Sequence, residues 1–116
     1  MKRILFALFT AVIFVSCTKE EEKHSYAVEN DFGYSMTIFI SEYNDANEKI
    51  HTMGVDLADK SRQTFVAKDN AVKLKIMIDK VNNRDFDRWI DQVFYLDSPN
   101  TSITIDGEVI VSTKEP

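Results

Sequence analysis

Residues 25–116 predict an all-β fold, a single antiparallel β-sandwich of about seven to eight short strands. Three observations lead there. Apolar and polar residues alternate with a period of two in several runs. Turn-forming residues break the chain at short intervals, and no window carries a long apolar repeat at helical spacing. The clearest strand is Val72, Leu74, Ile76 and Ile78, set against Lys73, Lys75, Met77 and Asp79. Met36, Ile38 and Ile40 alternate in the same way with Thr37, Phe39 and Ser41. Ser102–Ile105 and Val109–Val111 flank Asp106-Gly107, a strong short hairpin signal.

Weaker strands are expected at Ser25–Glu29, Ile50–Leu57, Gln63–Ala67 and Ile90–Leu96. One short helical turn is expected within Asn82–Trp89. Asn30-Asp31-Phe32-Gly33, Asn44-Asp45-Ala46-Asn47 and Ser98-Pro99-Asn100 supply turns between them. The outline is immunoglobulin-like or transthyretin-like. Its core draws on Met36, Ile38, Ile40, Val55, Leu57, Phe65, Leu74, Ile76, Ile78, Phe94, Leu96, Ile103, Ile105 and Val109.

The segment before this domain differs in kind. Met1-Lys2-Arg3 is basic, Ile4–Val15 is apolar apart from Thr10, and no acidic residue precedes Glu20. This is the pattern of an export signal, and the apolar run is shorter than the roughly 20 residues a membrane span needs. The chain carries a net charge of −5, and loss of Lys2 and Arg3 with the signal leaves −7. Such a surface argues against nucleic acid and against electrostatic attraction to anionic headgroups. The single cysteine, Cys17, has no internal disulfide partner and stands where the apolar run ends.

Phe14-Val15-Ser16-Cys17 resembles the lipobox of bacterial lipoproteins. The resemblance implies a diacylglycerol on the Cys17 sulfur, cleavage before it, and acylation of the new terminus. Ser16 is the small residue expected before the cut, and Phe14 departs from the commoner leucine. The expected organisation is a cleaved signal over 1–16, a lipidated acidic tether over 17–24 and the sandwich over 25–116. Thr18-Lys19-Glu20-Glu21-Glu22-Lys23 is a solvated charge run. It also resembles the signal that sends Bacteroidota lipoproteins to the outer face of the outer membrane. The expected location is therefore the outer membrane, lipid-anchored, facing either the periplasm or the cell surface.

Candidate sites are sparse. His24 adjoins the tether and is expected to be solvated; His51 is expected on the polar side of a strand, opposite Ile50. Neither has a positioned serine or cysteine beside it in sequence, so no catalytic residue is assigned and an enzyme is not expected. Asn44–Glu48, and Asp85 with Asp87, offer oxygen ligands but do not match a calcium loop, and zinc lacks any ligand pair. No metal or cofactor is expected. Arg84, Phe86, Arg88 and Trp89 form the candidate binding surface, two aromatics among charges between two strands. The competing reading folds Phe86 and Trp89 onto the core while the charges pair. The expected function is a non-enzymatic binding module whose ligand is an envelope protein, a peptide or a glycan. The alternatives are a structural or assembly subunit of an envelope complex, or a hydrolase or hydrolase inhibitor.

Overall fold

The period-two alternation is realised as nine strands in a computed structural model, which describes residues 24–116. They are β1 (Ser25–Asp31), β2 (Met36–Tyr43), β3 (Lys49–Leu57), β4 (Arg62–Val66), β5 (Lys73–Val81), β6 (Arg84–Ile90), β7 (Phe94–Tyr95), β8 (Asn100–Asp106) and β9 (Val111–Ser112). The signal, Cys17 and the acidic run lie outside the described residues. Two sheets pack face to face, a smaller one ordered β4-β1-β8 and a larger one ordered β3-β2-β5-β6-β9. β7 lies beside the start of β5, continuing the line that β6 begins. All pairs are antiparallel except β1 with β8, which run parallel.

The sandwich forms because each long strand presents one apolar face. Ile38, Ile40, Leu74, Ile76, Ile78 and Ile105 are wholly buried, and Val28, Ile90, Leu96 and Ile103 join them between the sheets. Every expected core residue lies in this cluster or packs against it. Tyr26, Val28, Ala67 and Ile90 are added to it. Burial of one such aliphatic side chain contributes about 1.5–3 kcal/mol, so this face-to-face layer dominates the stability.

Three expectations change. Asn82–Trp89 holds no helical turn: Val81 pairs with Arg84, leaving Asn82 and Asn83 as a two-residue hairpin loop. Both have positive φ, 54° and 64°, the signature of a type I′ turn, which asparagine tolerates better than most residues. Asp106-Gly107 does not close a hairpin. β8 joins the smaller sheet beside β1 and β9 joins the larger one beside β6. Gly107 does not adopt positive φ. The Asp106 side chain accepts a hydrogen bond from the Glu108 amide at 2.9 Å, making this corner a crossing between sheets. Ile90–Leu96 does not form one strand: β6 ends at Ile90, and only Phe94 and Tyr95 pair again.

The Asn82-Asn83 loop yields a direct expectation. Asn83→Gly relieves the left-handed backbone and should raise stability by about 0.5–1 kcal/mol. A thermal melt that shifts downward would refute the turn assignment.

Candidate functional site

Polar side chains are buried in two places between the sheets. Asn30, fully buried near the end of β1, has Nδ2 at 2.8, 3.1 and 3.2 Å from the carbonyls of Tyr34, Leu57 and Ala58. Its Oδ1 accepts from the Phe32 amide at 2.9 Å. One amide side chain thereby ties the β1–β2 turn to the β3–β4 corner. Glu42 of β2, also fully buried, accepts from Tyr26 Oη at 2.6 Å and from the Lys68 amide at 2.8 Å. Burial and then the hydrogen bond to Glu42 push the Tyr26 hydroxyl far above its ordinary range. This contact joins the two sheets. Asn30 and Glu42 are structural nodes: their buried side-chain atoms are met by partners inside the fold.

The outer face of the larger sheet is different. Cross-strand register places Gly54, Phe39, Met77 and Trp89 in one row across β3, β2, β5 and β6. Residues opposite each other on paired strands share a face, and this row lies on the side away from the core. Phe39, Met77 and Trp89 are half-buried. Gly54 leaves room for the Phe39 ring to lie against β3, for a Cβ there would come to 3.0 Å from Phe39 Cε1. Beside it Ser41 and Thr52 approach within 3.2 Å, and Thr37 donates to Asp56 at 2.8 Å.

Further along the same face, Lys49, Tyr43, Lys73 and Tyr95 form a second row. Lys75 Nζ sits 4.5 Å from the centre of the Tyr43 ring and Lys49 Nζ 6.0 Å from it. Glu115 Oε2 accepts from Tyr43 Oη at 2.5 Å and lies 3.6 Å from Lys75 Nζ. Burial and then the bond to Glu115 push the Tyr43 hydroxyl up to about 12. The Tyr43 hydrogen bond, helped by the Lys75 and Lys49 charges, holds the Glu115 carboxyl below its ordinary range.

The candidate surface Arg84, Phe86, Arg88 and Trp89 is not a loop but strand β6, and a strand sends neighbours to opposite faces. Phe86 packs against the core, edge-on to Phe32 with ring centres 6.5 Å apart. The Arg88 guanidinium lies 5.9 Å from the Phe86 ring, Arg84 is exposed beside the hairpin, and Trp89 joins Met77 outside. Among the described residues no ion pair forms between Arg84 or Arg88 and Asp85 or Asp87. The aromatics thus divide: Phe86 caps the core, and Trp89 faces outward. Sequence reasoning missed Phe39, Met77 and Tyr43. Their signal was the polar phase of β2 and β5, where an apolar residue stands out.

His24 is not freely solvated. Its carbonyl accepts from the Ala67 amide at 2.9 Å, and its Nδ1 is enclosed without a partner among the described residues. His51 reverses its expected phase: it stands half-buried opposite Glu42, and Ile50 is the exposed neighbour. In the Asn44–Glu48 loop, Asn44 Oδ1 is taken by the Ala46 and Glu48 amides at 3.0 and 2.9 Å. Among the described residues no three or more His, Cys, Asp or Glu side chains gather as a metal site. Two open grooves, one lined by Ser35, Asp56, Lys80 and Asn83 and one by Asp91, Asp106 and Ile110, contain neither histidine.

Comparison with protein-family models, with curated proteins and with solved structures found no match. The fold and the outer face therefore define the class alone: an all-β sandwich with an apolar row and a basic aromatic row on one exposed sheet.

Proposed function

We propose that the chain is an exported lipoprotein whose sandwich is a non-enzymatic binding module held at the cell envelope through Cys17. The observation that carries the reading is the unpaired cysteine where a basic-then-apolar segment ends, beside a small residue and ahead of an acidic tether. One acyl chain holds a protein to a bilayer only marginally, whereas two or three hold firmly, so the lipobox resemblance supplies the anchor that the acidic surface does not. Metabolic labelling with a fatty acid should mark the wild-type protein and leave Cys17→Ala unlabelled. Label persisting in the variant would sink the anchor.

The binding part of the reading is supported by Trp89, Met77 and Phe39, half-buried in one row outside the core. Trp and Met are enriched where proteins meet partners. Trp89→Ala should reduce capture of envelope partners by the full chain at least about tenfold, with the melting curve little changed, since Trp89 lies outside the buried cluster. Unchanged capture would remove this face from the reading.

A second reading, an assembly subunit, is favoured by β3. It is nine residues long and, among the described residues, pairs with a strand on one side only, β2, so that it forms an edge of the larger sheet, where the Asp56 carbonyl accepts from the Gln63 side chain at 3.0 Å. Copurification with envelope proteins in fixed stoichiometry, lost on a proline substitution in mid-β3, supports this reading over the first.

A further inference from the structure

The contact between Glu115 and the outer face has the form of an occupied site. Lys75 is nine-tenths buried and Tyr43 more so, although both lie on the sheet face turned away from the core. Among the described residues, the one carboxylate within ion-pair distance of Lys75 belongs to Glu115, whose side chain is 40% exposed. Past β9, that bond to Tyr43 and a local one from the Lys114 amide to Ser112 Oγ are the tail's hydrogen bonds among the described residues. Both Glu115 contacts with the sheet, to Tyr43 and to Lys75, run through its carboxylate. Three lysines, Lys49, Lys73 and Lys75, meet at Tyr43 or beside it in register, on a chain whose net charge is −5. The exposed ring of Tyr95 continues the row beside Lys73.

We propose that Tyr43, Lys75 and Lys49 form a carboxylate-binding cradle, occupied here by Glu115, and that an acidic peptide segment of a partner binds by displacing the tail. The proposal rests on the reading of the outer face as a binding surface and names its ligand chemistry. With Glu115 in place the ammonium of Lys75 and the hydroxyl of Tyr43 converge on one carboxylate oxygen, and departure of the tail leaves that pair free to take another carboxylate. Tyr43 Oη donates to that oxygen, Lys75 supplies the charge, and Lys49 reinforces it across the ring. The tail competes at an effective concentration on the order of millimolar, which sets a threshold a partner must exceed.

The test measures fluorescence anisotropy of a labelled Ser-Thr-Lys-Glu-Pro peptide, and of its counterpart with glutamine at the acidic position, on the full chain in detergent. Glu115→Ala should bind the acidic peptide at least about tenfold more tightly than wild type, because the internal competitor is gone. The glutamine peptide should bind neither protein above background. Adding Lys75→Gln to Glu115→Ala should abolish binding. If that variant misfolds, Tyr43→Phe with Glu115→Ala keeps the ring and removes only the donor, and should weaken binding at least about fivefold, one charge-assisted hydrogen bond being lost. Equal binding by wild type and Glu115→Ala, or equal binding of the two peptides, would overturn the proposal. Failure of Glu115→Ala to take up the acidic peptide, with Trp89-dependent capture intact, refutes the cradle and leaves the binding face standing.

Discussion

Asn30→Ala is expected to lower the unfolding free energy by about 3–5 kcal/mol, the largest loss of any single polar substitution in the domain. The side chain is wholly buried and bridges the carbonyls of Tyr34, Leu57 and Ala58 to the amide of Phe32. Alanine removes the bridge without replacing it, and each buried group left unpaired costs about 1–3 kcal/mol. The Asn30 backbone holds the same corner, donating to the Ser61 carbonyl at 2.8 Å and accepting from the Lys60 amide at 2.8 Å. Loss of the side chain therefore loosens the turn that carries the chain from β3 in one sheet to β4 in the other. Asn30→Asp should be as harmful, because it keeps the acceptor for Phe32 but turns a carboxylate toward three carbonyls. Against a typical total of about 5–15 kcal/mol, such a loss leaves little folded protein at elevated temperature. Urea denaturation showing a loss below about 1 kcal/mol would refute this account of the corner.

Tyr26→Phe carries the second large effect, an expected loss of about 2–3 kcal/mol, since a hydrogen bond to a charged group contributes about 1.5–3 kcal/mol. The variant leaves the ring packed and strips Glu42 Oε2 of its 2.6 Å donor inside the sandwich. Glu42→Gln should cost less: its oxygen still accepts from the Lys68 amide, and its NH₂ can donate to the Tyr26 oxygen. The pair also sets an alkaline limit. The Tyr26 hydroxyl is raised by burial first and by Glu42 second, so the folded state keeps a proton that the unfolded chain releases above a pH of about 10. Stability from this group is therefore fully present below that pH and falls as pH rises toward the raised value. Wild type and Tyr26→Phe should converge in stability across that window. Parallel curves would show that Tyr26 does not titrate as described.

The β2 and β5 alternation was legible because each run is long enough for burial of one face to outweigh every other preference. Trp89 was legible as a candidate but not in its setting. A stretch dense in charges reads as a loop, and only pairing with Met77 makes it the end of an apolar row. Glu42 follows Ile38 and Ile40 at the same spacing, so the inward face was predictable, yet a carboxylate there has no local rationale. Its partners, Tyr26 and Lys68, are 16 and 26 residues away. The Glu115 contact was out of reach for the same reason, with Tyr43 separated from it by 72 residues.

By itself the sequence determined that the domain is all-β, which faces of its long strands are buried, and that a lone cysteine divides a basic apolar segment from an acidic remainder. Tertiary structure alone decided the rest: that β8 lies parallel to β1 rather than in a hairpin with β9, that His51 turns inward, and that the outer sheet face gathers aromatics and lysines. The physical reason is that alternation encodes a face but not a neighbour. Backbone ladders are nearly alike for every residue type, so the choice of partner strand rests on loop geometry and on filling one shared core.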